Sequence, residues 1–321
     1  MTQSKNLMYK ILFMGTPDYA TIIFERLLEK DYNIIALFTQ PDKLVGRKQE
    51  LTPPHIKQFS IDNGLSLPIY QPNSLKEQSS IDIVKSLDPD IIIVAAYGQI
   101  LPKAILDIAP CINLHASLLP KYRGASPIQQ CLLNDDKFTG VTAMYMEEGL
   151  DSGDILGLKY LKIDKNMVVA ELFDQLSQVA ANLTIEILEN YKSLNPKKQN
   201  LSQVTHCEKV KKSDGLVSFL NAKEFYNKYR AYKFWPDIYI ENGLKIKECI
   251  LNDIESSNQN GIILEIQKDF IIVGCTVGTI KVVNVQPASK KQMNVVDYIR
   301  GQRLEVGDFI SWLCWFNTYI S

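Results

Sequence analysis

The run Asn113-Leu-His-Ala-Ser-Leu-Leu-Pro-Lys-Tyr-Arg-Gly124 changes character half-way along. Its first residues extend the apolar Cys111-Ile112 pair and read as a strand over 111–115, which places Asn113 and His115, two apart, on the same face. Pro120 and Gly124 then force an irregular turn in place of more sheet. An amide, an imidazole and the Ser117 hydroxyl are thus delivered together at the carboxyl end of a strand, where open α/β sheets bind their ligands. Downstream, Glu148-Gly-Leu-Asp-Ser-Gly153 sets Asp151 between two glycines, a carboxylate in a tight loop.

Working outward, the chain alternates strand and helix patterns. Short apolar runs at 10–15, 33–39, 67–70 and 90–95 read as strands, the last, Asp90-Ile-Ile-Ile-Val-Ala95, with the pattern of a strand buried on both faces. Apolar residues at helical spacing occupy 18–29, 56–63 and 81–87. Beyond the central strand come a helix at 127–133, strands at 141–146 and 155–163, and a long helix over 168–191. Such alternation argues for a doubly wound α/β domain. Gly15-Thr-Pro-Asp18 lacks the second and third glycines of a dinucleotide fingerprint, and Pro17 removes a backbone donor. It reads instead as a strand–helix turn, with Pro17 and Asp18 opening the helix.

The pattern breaks at 195–212, where Lys197, Lys198, Lys209, Lys211 and Lys212 face a single acid, Glu208, as in a basic linker. Strand-like runs then crowd together at 216–219, 238–240, 244–251, 261–266, 270–273 and 279–285, interrupted by helices at 222–232 and 295–300. Short strands at this spacing suggest a small β-barrel. The expected organisation is an N-terminal extension at 1–9, a first domain at 10–194, the linker at 195–212 and a second domain at 213–321. Met8 is an alternative start to Met1.

Composition excludes several classes. The 321 residues carry a formal net charge of −1, so nucleic acid would have to be met by local basic patches, not by the whole molecule. Six cysteines without a CxxC pair read as reduced thiols and suggest a cytoplasmic protein. With three histidines, no metal site is expected. No signal peptide or membrane-spanning run is visible.

Taken singly, His115 is a core histidine, Asn113 a strand-end residue and Asp151 an Asx-turn carboxylate; the combination is what points to chemistry. Asn113, His115, the Ser117-Leu118-Leu119-Pro120 run and Leu150-Asp-Ser-Gly153 together resemble the folate-dependent formyltransferases. The resemblance implies a doubly wound, Rossmann-like α/β formyltransferase domain followed by a small OB-like β-barrel domain. It implies 10-formyltetrahydrofolate as formyl donor, with Ser117, Leu118, Leu119 and Pro120 lining the tetrahydrofolate site. Residues 97–102, Tyr97-Gly-Gln-Ile-Leu-Pro102, resemble a second folate-contacting loop, naming Tyr97, Gln99 and Leu101; strand termination explains that loop equally well. For formyl transfer, Asn113 and His115 can donate hydrogen bonds to the developing oxyanion, while Asp151 can orient the imidazole and relay protons.

Further matches narrow the resemblance to the branch of the family that acts on initiator methionyl-tRNA. Gln40-Pro-Asp-Lys-Leu-Val-Gly-Arg-Lys48 resembles an insertion loop that meets the acceptor stem, making Lys43, Arg47 and Lys48 candidate tRNA contacts; Lys48 stands where the family commonly has a second glycine. Arg230-Ala-Tyr-Lys-Phe-Trp-Pro236 and the 286–293 region extend the resemblance through the second domain. There Trp235 is either a core anchor or a base-stacking platform. Residues 208–321 hold 15 Lys+Arg against 13 Asp+Glu, a near balance, so the linker residues Lys209, Lys211 and Lys212 are added as tRNA contacts. The expected enzyme is a monomer. Competing readings are a formyltransferase for a nucleotide-sugar amine, a 10-formyltetrahydrofolate hydrolase, and a non-catalytic RNA-binding protein on an enzyme scaffold. The complete Asn113, His115 and Asp151 set argues against the last.

Overall fold

A computed structural model describes residues 9–46 and 48–310. Along the chain it contains β1 (Ile11–Gly15), α1 (Asp18–Glu29), β2 (Ile34–Phe38), β3 (Lys43–Val45), β4 (Glu50–Thr52), α2 (His55–Asp62), β5 (Ile69–Tyr70), α3 (Gln78–Leu87), β6 (Ile91–Ala95), α4 (Lys103–Leu106), β7 (Cys111–His115), β8 (Arg123–Gly124), α5 (Pro127–Leu133), β9 (Phe138–Tyr145), β10 (Ile155–Lys162), α6 (Val169–Asn190) and β11 (His206–Cys207). There follow α7 (Ala222–Tyr232), β12 (Ile238–Tyr239), β13 (Lys245–Asp253), β14 (Ile263–Ile266), β15 (Ile271–Gly274), β16 (Thr279–Gln286), β17 (Met293–Asn294) and α8 (Val295–Gln302). The described chain divides into two compact units. The first takes residues up to 127, 137–163 and 171–208; the second takes 128–136, 164–170 and 209 onward.

The first unit is built on a seven-stranded sheet in the order β10-β9-β7-β6-β1-β2-β5. The five strands from β7 to β5 run parallel, and β9 and β10 join antiparallel. Every residue of β1 and β6 is buried, as uninterrupted apolar runs demand of strands covered on both faces. The amphipathic α1 turns Tyr19, Ala20, Ile23, Phe24 and Leu27 inward, with Ile23, Phe24 and Leu27 each contributing about 1.5–3 kcal/mol. Gly15 ends β1 because a Cβ there would lie 2.5 Å from Ala20 Cβ. Register sets Asn113 of β7 opposite Val94 of β6 and His115 opposite Thr142 of β9, so the carboxyl ends of β6 and β7 lie side by side.

Residues 197–207, expected within a linker, are not a tether. Lys197 and Ile155 exchange two backbone hydrogen bonds of 2.8 and 2.9 Å, and β11 pairs in parallel with β8. Thr205 donates to the Pro120 carbonyl and accepts from Arg123 N, and Cys207 O accepts from Ala125 N, so the segment is tied to the first unit at several points. The 40–48 loop also contains structure that its sequence did not suggest: β3 and β4 form an antiparallel hairpin.

The second unit holds an antiparallel sheet ordered β12-β13-β16-β15-β14, with β17 added to β16. Among the described residues this sheet has two free ends, so it is an open sheet and not a closed barrel. Residues 216–219, expected as a strand, make only an isolated bridge, Leu216 to Tyr239. Their hydrogen bonds divide between two partners: Val217 donates to Tyr239, while Phe219 and Leu220 accept from Thr276 and Val277. Asn221 caps α7 by accepting from the amides of Lys223 and Glu224, and Asn294 caps α8 through Val296. Trp235 is 58% exposed and therefore no core anchor. Among the described residues no helix is long and apolar enough to cross a membrane, and no three His, Cys, Asp or Glu side chains are grouped to hold a metal ion.

Candidate active site

The site is assembled where β7 stops being sheet. His115 is 6% exposed, and its Nε2 lies 2.8 Å from the carbonyl oxygen of Tyr122. A carbonyl only accepts, so Nε2 carries the proton and donates. Nδ1 is left facing Asp151 Oδ2 at 3.7 Å. That gap is too long for a hydrogen bond and short enough for a charge pair once the ring is protonated. The imidazole is therefore held by the Tyr122 carbonyl, and the Asp151 carboxylate, expected to orient it, faces Nδ1 beyond hydrogen-bond reach.

Asp151 is itself held from three sides. Oδ2 accepts the Gly124 amide at 2.8 Å, Oδ1 accepts Asn113 Nδ2 at 3.3 Å, and its backbone carbonyl accepts Gln199 Nε2 at 2.9 Å. Its φ of +48° lies in the left-handed region, which Asp tolerates better than most residues. Gly124 is required where it stands: at φ +115°, a Cβ would meet the Cys207 carbonyl oxygen at 2.2 Å. Burial first, and then the Asp151 charge, raise the Cys207 thiol above its ordinary value, which keeps it protonated and unreactive.

Asn113, His115 and Asp151 are thus brought together. The Ser117 hydroxyl is committed elsewhere: it is fully buried and donates to the Lys121 carbonyl at 2.6 Å, closing its own turn. Thr142 Oγ1 braces the same turn, donating to Ser117 O at 2.7 Å and accepting from Leu119 N at 3.1 Å. Leu119 is buried, while Leu118 and Pro120 stay half-buried. Tyr97 and Leu101 are buried in the core, and Gln99 clamps Pro72 O and Leu75 N. These three side chains shape the 97–101 loop from behind. Lys43, Lys48, Lys209, Lys211 and Lys212 are exposed; the first two belong to the first unit and the others to the second. Arg47 lies outside the described residues.

With this geometry in place, the chain can be set beside known proteins. The formyl transferase family model matches residues 9–188, and the model of the formyl transferase C-terminal domain matches 209–303. The chain belongs to the formyl transferase family. A protein of Sulfurimonas denitrificans named methionyl-tRNA formyltransferase is 53% identical over 303 residues, 94% of this chain and 100% of its own length. A Nitratiruptor relative of the same name is 52% identical over 93% of this chain and 99% of its own length. Among solved structures the fold is shared with WlaRD, a sugar 3N-formyl transferase determined in the presence of dTDP and 5-N-formyl-THF. The TM-score is 0.65 at 20% identity, over 88% of this chain and 99% of that one. HypX from Aquifex aeolicus, in complex with tetrahydrofolic acid, gives a TM-score of 0.64 at 12% identity, with the chain covering 48% of that longer protein.

Family membership leaves several groups at the rim that sequence reasoning missed. Tyr122 and Gly124 contribute backbone atoms, which no residue type advertises. Thr142 sits in a strand buried continuously over 139–144, where nothing sets it apart from its neighbours. Gln199 falls in the interval 189–208 that neither family model matches.

Proposed function

We propose that this chain transfers the formyl group of 10-formyltetrahydrofolate to the α-amino group of methionine on initiator tRNA. The observation that carries the reading is the convergence of Asn113, His115 and Asp151 on one rim. The choice of acceptor draws on relatives of that name more than 50% identical over nearly their whole length. The side chains suit formyl transfer: Asn113 offers an amide hydrogen beyond the one directed at Asp151, and His115, carrying its proton on Nε2, offers Nδ1 as a proton acceptor.

When bound, the folate supplies an activated formyl carbon whose bond to N10 breaks as the amide bond to methionine forms. Asn113 donates to the formyl oxygen as it becomes negative in the transition state. His115 Nδ1 takes the proton that the amine nitrogen loses on bonding to carbon, and the Asp151 charge stabilises the resulting imidazolium. His115 then returns a proton to the departing N10, so one hydrogen moves from amine to leaving nitrogen. The half-buried faces of Leu118 and Pro120 and the main chain of 97–101 would seat the tetrahydrofolate. For tRNA, the exposed hairpin with Lys43 and Lys48, together with Arg47, would meet the acceptor arm, and Lys209, Lys211 and Lys212 would extend the contact. We read the open sheet of the second unit as an OB-like element in the same service.

The test is formylation of methionyl initiator tRNA by purified protein. His115→Ala is expected to lower kcat by about 10²–10⁴-fold while the protein stays folded, at a lower thermal midpoint because the Tyr122 carbonyl loses its donor. Near wild-type turnover by that variant would remove His115 from the mechanism. Folate consumption without formyl-methionine would redirect the reading to a sugar amine or water as acceptor.

A further inference from the structure

We propose that Gln199 is a positioning residue for the transfer step: its side-chain amide, braced by Arg123, fixes the loop that presents Asp151 to His115. The proposal rests on the formyl-transfer reading of the rim. Gln199 is 8% exposed, and its amide is engaged on both sides. Nε2 donates to the backbone carbonyls of Asp151 and Gly153, each at 2.9 Å. Oε1 accepts from Nε and Nη2 of Arg123, at 3.1 and 2.7 Å. A single amide therefore ties the 151–153 loop to a guanidinium rooted in β8. The residues on either side of Arg123 hold the site: the Tyr122 carbonyl holds His115, and the Gly124 amide holds Asp151.

This arrangement bears on rate because of how Asp151 reaches His115. A hydrogen bond restores its own length when disturbed. A charge pair across 3.7 Å has no such restoring contact, so its distance is set by whatever holds each partner. His115 is fixed by Tyr122. Asp151, on a left-handed backbone that persists only where its surroundings over-determine it, is fixed by Gly124, Asn113 and Gln199. Loosening the Gln199 strut lets the carboxylate drift without touching the turn at 117–120. The transfer step should therefore suffer while substrate binding is spared.

Two substitutions in the full-length protein separate the parts. Gln199→Glu keeps the size and the acceptor facing Arg123 but loses the donor to the two carbonyls. Gln199→Met keeps volume and loses both. In each, kcat for formylation of methionyl-tRNA is expected to fall about 10- to 100-fold, the scale of a displacement near 1 Å, with KM for 10-formyltetrahydrofolate and for tRNA little changed. Wild-type kcat in the Gln199→Glu variant overturns the proposal, because donation to residues 151 and 153 is what it asserts. A loss confined to KM overturns it too. Should neither variant fold, Arg123→Lys, which replaces a forked donor by a point charge, is expected to lower kcat at unchanged KM; an unchanged kcat sinks the idea. Amide exchange at Gly124, whose N–H is held by Asp151, gives a readout independent of the acceptor. Faster exchange in the Gln199 variants supports the strut even if the natural acceptor is not methionyl-tRNA, and unaltered exchange refutes it.

Discussion

At the scale of single residues, the chemistry of the rim depends on main-chain atoms as much as on side chains. Gly124 supplies the amide that holds Asp151 and does so from a conformation, φ +115°, closed to residues with a Cβ. Gly124→Ala should therefore fail twice, through backbone strain and through collision with the Cys207 carbonyl. We expect a loss of about 3 kcal/mol or more in folding stability, with formylation activity lost alongside, measured by urea unfolding and initial rates. A stable, active Gly124→Ala protein would mean that Asp151 is held by other means. This dependence also explains what could be read from the sequence. Asn113, His115 and Asp151 announce themselves by type, spacing and flanking glycines. The carbonyl of Tyr122 and the amide of Gly124 cannot, since every residue has both. Gln199 sits 48 positions from Asp151 in a lysine-rich stretch with no periodicity, so nothing local ties it to the site. The Ser117 hydroxyl closes a turn on the Lys121 carbonyl, a part that its place in the sequence does not show.

At the scale of elements, periodicity carried those strands and helices of the α/β unit that have a buried face. The helix expected at 127–133 appears as Pro127–Leu133, and the strand at 111–115 as Cys111–His115. The hairpin β3–β4 was missed for the same reason: all six of its strand residues are exposed, so no alternation marks it. It is nonetheless anchored. Lys57 Nζ binds both Asp42 carboxylate oxygens at 2.9 Å and Gln71 Oε1 at 2.7 Å, and Gln71 Nε2 donates to Asp42 and to the Gln40 carbonyl. Lys57→Ala should free the hairpin, seen as faster hydrogen exchange over 43–52 and a several-fold lower kcat/KM for tRNA at unchanged KM for the folate. The Gln71 hydrogen bond, then Lys57, lower the Asp42 pKa. A lowered carboxyl contributes stability above its unfolded value of about 3.9 and loses it as pH falls through the folded one. Protection of the hairpin, corrected for intrinsic rates, should thus be flat from neutral pH down to about 5 and collapse only in stronger acid. Loss of protection between pH 7 and 5 would point to a different anchor.

At the scale of the whole molecule, the limits of sequence reading are those of long-range pairing. Short strands after residue 213 suggested a barrel, but whether the end strands of a sheet meet depends on pairing that no local window contains; the described sheet stays open between β12 and β14. Charge poses a similar question. With a formal net charge of −1, the molecule has little long-range attraction for a polyanion, so use of tRNA has to depend on local cations. Lys43 and Lys48 are exposed on or beside the hairpin, where phosphate contact would release counterions. If they make such contacts, log kcat/KM for tRNA falls linearly with log salt, and each contact adds about 0.7–0.9 to the slope. The double substitution Lys43→Ala with Lys48→Ala should then flatten the slope by about 1.4–1.8, with KM for the folate responding to salt as it does in the wild type. An unchanged slope in the double variant would show that the hairpin cations do not meet phosphate. The salt dependence would then have to come from Arg47 or from Lys209, Lys211 and Lys212, and the same measurement on those variants would show which.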